Sequence, residues 1–250
     1  MTDELKALSV EELFARAVAG DEEDEGAWEA VSALRNRGGA EVFEAARVRC
    51  GSSVAKERSR ALDVLGQLGA GQKNKGPHLQ DRVRLAIRGL ADGDETVVHA
   101  AAWALNHLGT VAGVAALLGV RRHPVQGVRR AVAASIAVAQ CPEGIEAMIE
   151  LTEDVDDEVR DWATFALGQF TDEASEGVLG ALRRRLGDPY EDARLEAIRG
   201  LVRRRDEEGV RLLRDRFASR DWFQGDEDMA LEIWGEGWRA EVGLDSEADG

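Results

Sequence analysis

Apolar positions along the chain recur with a helical period. An apolar or small anchor, often followed by Arg, is succeeded four residues on by an apolar or alanine residue and usually by Leu or Ile at eight. The clearest copy is Val159-Arg160 with Ala163 and Leu167. Val128-Arg129 with Val132 and Ile136, Ala193-Arg194 with Ala197 and Leu201, and Val97-Val98 with Ala101 and Leu105 repeat it. Glu57-Arg58 with Ala61 and Leu65, and Gly26-Ala27 with Ala30 and Leu34, are weaker copies. The anchors stand at 26, 57, 97, 128, 159 and 193, so the intervals are 31, 40, 31, 31 and 34 residues. Positions 0, +4, +7 and +8 share one face of a helix of 3.6 residues per turn. Each segment is therefore an amphipathic helix, here the A helix, that cannot bury its stripe alone.

A second amphipathic run follows every A segment and predicts a B helix. These runs are Val42-Phe43-Ala46, Leu79-Val83-Ile87-Leu90, Val114-Leu117-Leu118, Ile145-Met148-Ile149, Val178-Leu179-Leu182-Leu186 and Val210-Leu213-Phe217. Breaks fall where hairpins need them: Gly38-Gly39, Gly109-Thr110, Cys141-Pro142 and Thr171-Asp172 within units, and Asp92-Gly93, His123-Pro124 and Asp188-Pro189 between units. Pro just inside a helix start and Asp or Thr at its cap are the expected punctuation. The expected division is a capping helix in 1–21, six hairpins at about 22–51, 52–92, 93–123, 124–155, 156–188 and 189–220, a capping helix in 221–241 and a disordered acidic tail at 242–250. Ser9 and Glu12 form a capping box for the first helix. The last, about Glu227–Ala240, carries Met229, Leu231, Ile233, Trp234 and Trp238. Such an array is all-α, with each repeat stabilised by its neighbours.

Composition agrees with helices. Hydrophobic residues make up 44% of the 250, aromatics only 5%, and four prolines occur, a balance favouring Ala- and Leu-rich helices over strands. The formal charge of -16 is concentrated at the ends: residues 1–30 carry -8, residues 221–250 carry -9, and the middle is nearly neutral. Acidic ends oppose binding to nucleic acid or anionic membranes. Cys50 and Cys141 stand 91 positions apart, outside any metal spacing, and read as reduced core thiols. The N-terminus lacks the basic start and apolar run of a secretory signal, and the apolar stretches are too short to span a bilayer. A soluble cytoplasmic protein is expected.

Units of the form (D/E)-x-V-R-x-x-A-x-x-A-L-G, about 31 residues long, resemble the short HEAT-like repeats of the phycobilisome-lyase type. The resemblance covers residues 22–220 and is strongest over 94–204. It implies an α-α superhelix, a right-handed solenoid with A helices convex and B helices concave, and an acid–Arg ladder linking adjacent repeats. The matching positions are Asp94 or Glu95, Asp157 with Arg160, and Glu191 or Asp192 with Arg194; Arg129 is kept, but Val125-Gln126 replaces its acid. On that picture the concave surface presents Arg47, Arg84, Arg88, Arg184, Arg211 and Arg214 to acidic side chains of a partner.

A search for chemistry yields little. The histidines are His78, His99, His107 and His123, without HExxH and without the His-Glu pairs of the HEAT-fold deoxyhypusine hydroxylases. His99 and His107 lie eight residues apart on one helix, about 12 Å along its axis, too far for one metal. No GxSxG elbow is present. Gly69–Gly76 fails the phosphate-loop pattern and lacks the preceding strand, so it reads as an insertion between A and B helices. Trp103, Trp162 and Asp161 invite comparison with HEAT-like alkylpurine DNA glycosylases, which pair a basic groove with Trp and Asp. Against that, Trp103 and Phe165 share a +6 slot suited to packing between hairpins, and Asp161 falls opposite the apolar stripe, where a solvated carboxylate is expected. The sequence thus predicts a non-catalytic protein-binding scaffold, with no cofactor, no metal and no catalytic residue, whose partner is a protein with an acidic surface. A phycobilin-lyase-like subunit or a metal-dependent oxidoreductase is the alternative.

Overall fold

A computed structural model describes residues 3–20, 24–70, 76–139, 141–219, 222, 224–242 and 244. Among them every regular element is helical. The chain divides into two compact units, Met1–Gly144 and Ile145–Gly250.

The first unit opens with α1 (Asp3–Ala7) and α2 (Val10–Ala19) where one capping helix was expected. Ser9 separates them: its hydroxyl accepts from the Glu12 N–H while the Glu12 carboxylate accepts from the Ser9 N–H, closing the capping box. Then come α3 (Glu25–Arg37), α4 (Gly39–Arg49), α5 (Ala55–Gln67), α6 (Leu79–Gly89), α7 (Glu95–Leu108), α8 (Val114–Val120) and α9 (Gln126–Ala139). The A helices are α3, α5, α7 and α9. Between α3 and α4 the chain reverses at Gly38 and Gly39, with φ of 61° and 82°, angles that only glycine adopts without strain. Residues 71–75 of the insertion between α5 and α6 lie outside the described residues.

In the second unit, the end of α10 (Pro142–Leu151) leads to α11 (Asp157–Gln169), α12 (Glu176–Arg185), α13 (Glu191–Arg203), α14 (Glu207–Ser219), α15 (Gln224–Trp234) and α16 (Trp238–Glu241). Its A helices are α11 and α13. The terminal segment, expected as one helix, is broken by Gly235 at φ 66° and a 3-10 turn over Gly235–Gly237. That break lets Trp238 turn back onto Phe217, with ring centroids 4.9 Å apart, and Trp222 joins at 5.3 Å from Phe217. Trp238 is buried there. Of the expected tail, Val242 and Leu244 are described and pack against this cluster; 243 and 245–250 lie outside the described residues.

The stripe read from the sequence forms the core. Val97, Ala101 and Leu105 are buried, as are Val128, Val132 and Ile136, Val159, Ala163 and Leu167, and Ala193, Ala197 and Leu201. Small residues on a second A-helix face set the spacing between hairpins. A Cβ on Gly66 would stand 2.6 Å from the Ala104 Cα, and one on Gly200 would stand 2.8 Å from the Gly168 Cα. The A helices α5 and α7, and α11 and α13, therefore touch backbone to backbone, while the B helices of successive hairpins within each unit are spread further apart. Arginines close the gaps that remain. Arg204 donates to the carbonyls of Leu167 at 2.7 Å and Thr171 at 2.6 Å, satisfying the open C-terminal end of α11. The fully buried Arg82 does the same for α5 through the carbonyls of Leu65 and Leu68.

Candidate functional site

The turns that precede α5, α7, α9, α11 and α13 are built on a recurrent device. The first residue of each accepts a hydrogen bond from the N–H two residues on: Ser52 from Val54, Asp92 from Asp94, His123 through Nδ1 from Val125, Asp154 from Asp156 and Asp188 from Tyr190. The backbone carbonyl of the same residue accepts from the Arg six positions later where one exists: Arg58, Arg129, Arg160 and Arg194. Asx-type turns of this kind pre-form the helix start.

Two of these arginines also reach the turn of the next hairpin. Arg58 grips Asp92 through Nε at 2.9 Å and a second nitrogen at 2.8 Å, and Arg160 grips Asp188 at 2.8 and 2.9 Å. The ladder acid for Arg160 is thus Asp188, whereas Asp157 stays exposed at the start of α11 and accepts only the Glu158 N–H among the contacts seen. Asp188 and Arg160 are both buried, and Arg185 adds a third contact at 3.0 Å. Burial alone would push the Asp188 carboxyl up; the hydrogen bonds from Arg160 and Tyr190, with the charges of Arg160 and Arg185, outweigh it and hold it below its ordinary value.

The six arginines expected to meet a partner are occupied within the chain. Arg47 pairs with Glu44 at 2.7 Å, Arg84 with Asp81, Arg184 with Glu153 at 2.6 Å, Arg211 with Asp215 at 2.9 Å and Arg214 with Glu241 at 3.4 Å. Arg88 donates to the Cys50 carbonyl at 3.2 Å. None of the six lines a described cavity. Cys50 is buried and Cys141 half-buried, and burial pushes the Cys50 thiol up to about 11, away from the thiolate form that reacts. His78 stacks flat on Phe43 at 4.0 Å. Among the described residues no three His, Cys, Asp or Glu side chains converge as metal ligands.

The cavities open on the A helices. In the first unit one of about 620 Å³ is lined by Trp28 of α3, by Lys56, Ser59, Arg60, Asp63 and Gln67 of α5, and by Thr96, His99, Ala100, Trp103 and His107 of α7. The Trp103 indole donates to His99 Nε2 at 2.9 Å, and the Arg60 guanidinium lies 4.6 Å from the Trp28 ring centre. In the second unit one of about 310 Å³ is lined by Asp161, Trp162 and Phe165 of α11 and Asp192, Leu195, Glu196 and Arg199 of α13. A neighbouring cavity of about 560 Å³ shares Phe165 and Arg199 and adds Gln169, Phe170, Arg203 and residues of α15.

Most of the A-helix residues that line these cavities fall in the same places of the repeat. Counted from the anchor, they sit at -1, +2, +3, +6 and +10: Lys56, Ser59, Arg60, Asp63 and Gln67; Thr96, His99, Ala100, Trp103 and His107; Asp161, Trp162, Phe165 and Gln169; Asp192, Leu195, Glu196, Arg199 and Arg203. The +6 aromatics therefore wall cavities and are half-buried, where packing between hairpins was expected. The signal available in the sequence was chemical variety: these slots change from copy to copy while the apolar stripe does not.

Asp161 is the other departure. It is half-buried, and its Oδ1 is enclosed without a hydrogen-bond partner. Burial, then the charges of Glu196, Asp192 and Asp188, push its carboxyl up to about 6. A carboxyl raised above the unfolded value of 3.8 adds stability that is fully present below 3.8 and is lost as pH climbs through about 6. Ionised Asp161 thus opposes folding at neutral pH. Asp161→Asn is expected to raise stability at pH 7 by about 1 kcal/mol, discounted for partial exposure. It should also flatten the profile between about pH 4 and 6. Urea titrations at both ends of that range read this out, and an unchanged or lower midpoint at pH 7 would refute it.

A family model of HEAT repeats matches residues 145–225. The fold is similar to that of YibA from E. coli, with a TM-score of 0.77 and 22% identity over 99% of this chain and 90% of that one. It is also similar to the complex of CpcE and CpcF of phycocyanin lyase from Nostoc (TM-score 0.53, 18% identity, 81% of this chain and 80% of that one). A designed armadillo repeat protein in complex with the peptide (KR)4 matches with a TM-score of 0.54 and 14% identity over 79% of this chain and 100% of that one. No curated protein sequence matches the chain. No described helix is long and apolar enough to cross a membrane. Residues 145–225 thus match the HEAT repeats, and the described residues have the all-α helical-hairpin fold that these solved structures share.

Proposed function

We propose that this protein is a non-catalytic scaffold or adaptor that binds another protein through the exposed face of its A helices. One observation carries the reading: in both units the repeat slots outside the core stripe line cavities with aromatic and arginine side chains (Trp28, Trp103 and Arg60; Trp162, Phe165 and Arg199), the residue types enriched among interface anchors. An anchored framework with freely changing slots is how stacked repeats present a binding surface. The designed armadillo protein solved with a peptide, and the paired CpcE and CpcF, lend support by fold. The B-helix arginines are a weaker choice, since none of the six lines a described cavity.

The test compares two variants for capture of partners from lysate at physiological salt, read by mass spectrometry. Trp103→Ala with Phe165→Ala is expected to lose a dominant partner by at least about tenfold, the scale of truncating an anchor residue. Arg184→Glu with Arg211→Glu is expected to retain it. The opposite pattern, with both variants showing native circular dichroism, would move the surface to the B helices.

A further inference from the structure

We propose that the cavity between α11 and α13 receives one cationic side chain, an arginine or lysine of the protein partner, with its stem against Trp162 and Phe165 and its charge among Asp161, Asp192 and Glu196. This rests on the A-face reading above and names the chemistry of one of its sites.

The walls come first. Trp162 and Phe165 meet edge to face at 5.8 Å, and Phe170 buttresses Phe165 edge to face at 5.2 Å. Rings so held present fixed π faces at little entropic cost, and an aromatic wall attracts a cation. The cavity of about 310 Å³ suits one long side chain.

Charge then decides the occupant. From α11 the cavity sees Asp161; from α13 it sees Asp192, Glu196 and Arg199. The turn before α13 contributes Asp188, which is taken by Arg160 and Arg185, and Tyr190, whose hydroxyl is hydrogen-bonded to Asp192. Arg199 lies on Glu196 at 2.7 Å, so one positive group faces three carboxylates. Asp161 lines the cavity, and its buried Oδ1 has no hydrogen-bond partner among the described residues, so its carboxylate keeps acceptor capacity that the chain does not use. An anion would meet net negative charge. A metal ion would need ligands to converge, which they do not among the described residues. The adjoining cavity past Phe165 leaves room for the partner's chain to continue, which favours a side chain of a peptide over a free amine.

The experiment uses the full chain, with N-acetyl-arginine amide as probe and N-acetyl-citrulline amide as its neutral isostere. The Trp162 indole N–H signal, identified by Trp162→Phe, is followed by NMR at pH 7.5. Saturable, salt-sensitive shifts with the arginine probe are expected, with at least about tenfold weaker response from citrulline and from Asp161→Asn. Since Asp161→Asn is expected to be at least as stable as the parent, its loss of binding would not be a folding defect. Equal response to the two probes, or an unaffected Asp161→Asn, would overturn the cation site. If the probe fails while Trp103→Ala with Phe165→Ala still loses the captured partner, this site is wrong and the A-face reading stands; if neither responds, both fall.

Discussion

Leu167→Asp is expected to unfold the second unit. Leu167 sits at +8 of the best-formed repeat and is 1% exposed, and the hairpin of α11 and α12 packs around it with α13. Loss of the leucine alone costs about 2–5 kcal/mol. The carboxylate that replaces it would have no partner in an apolar site, adding a penalty of several kcal/mol. Against a typical total of roughly 5–15 kcal/mol, that removes most of the unit's stability. Because a repeat is held by its neighbours, the loss should spread along α11–α13. Circular dichroism should show a fall in helical signal and an early melting phase. An unchanged melt would mean that Leu167 does not occupy the core.

Asp188→Ala is expected to cost about 3–5 kcal/mol, the scale of removing one partner of a buried ion pair. The carboxylate is fully buried and takes two bonds from Arg160, one from Arg185 and one from the Tyr190 N–H. Its removal strands the Arg160 guanidinium in a site 10% exposed and opens the turn that starts α13. The acid limb of the stability curve should change as well. A carboxyl held below its unfolded value of 3.8 contributes stability that is present above 3.8 and lost as pH falls through the folded value. The variant should therefore lose stability at neutral pH and lose less on further acidification than the parent. Arg160→Met with Asp188→Leu should recover much of the loss, because apolar replacement of a buried pair is often neutral. A double-mutant cycle by urea denaturation reads the coupling, and a coupling near zero would show that the pair contributes nothing beyond the turn.

The residues at 0, +4 and +8 were legible because period and burial are one signal: a helix with an apolar stripe must cover it, and Val159, Ala163 and Leu167 do. Hairpin breaks were legible at Gly38-Gly39 and Asp188-Pro189 because backbone angles and caps are local properties. The ladder was half legible. Arg160 stood out, but its acid lies 28 residues on, beyond any pattern of one helix, and Asp157 next to it was the nearer candidate. For Arg184 and Arg214 the pairing was not legible, because Glu153 and Glu241 are 27 or more residues away in sequence, whereas Arg47, Arg84 and Arg211 pair within about one turn of their own helices.

By itself the sequence determined that the chain is all helical, where its hairpins turn and which stripe is buried, since these follow from spacing and local conformational preference. The tertiary structure decided which second face is open. Gly66 against Ala104 and Gly168 against Gly200 draw the A helices into contact. With the A helices that close, the slots at +2, +3 and +6 of successive helices stand side by side and become the walls of shared cavities. Side-by-side placement across the 40 and 34 residues between the anchors of these helices is a property of packing distance, and no single helix encodes it.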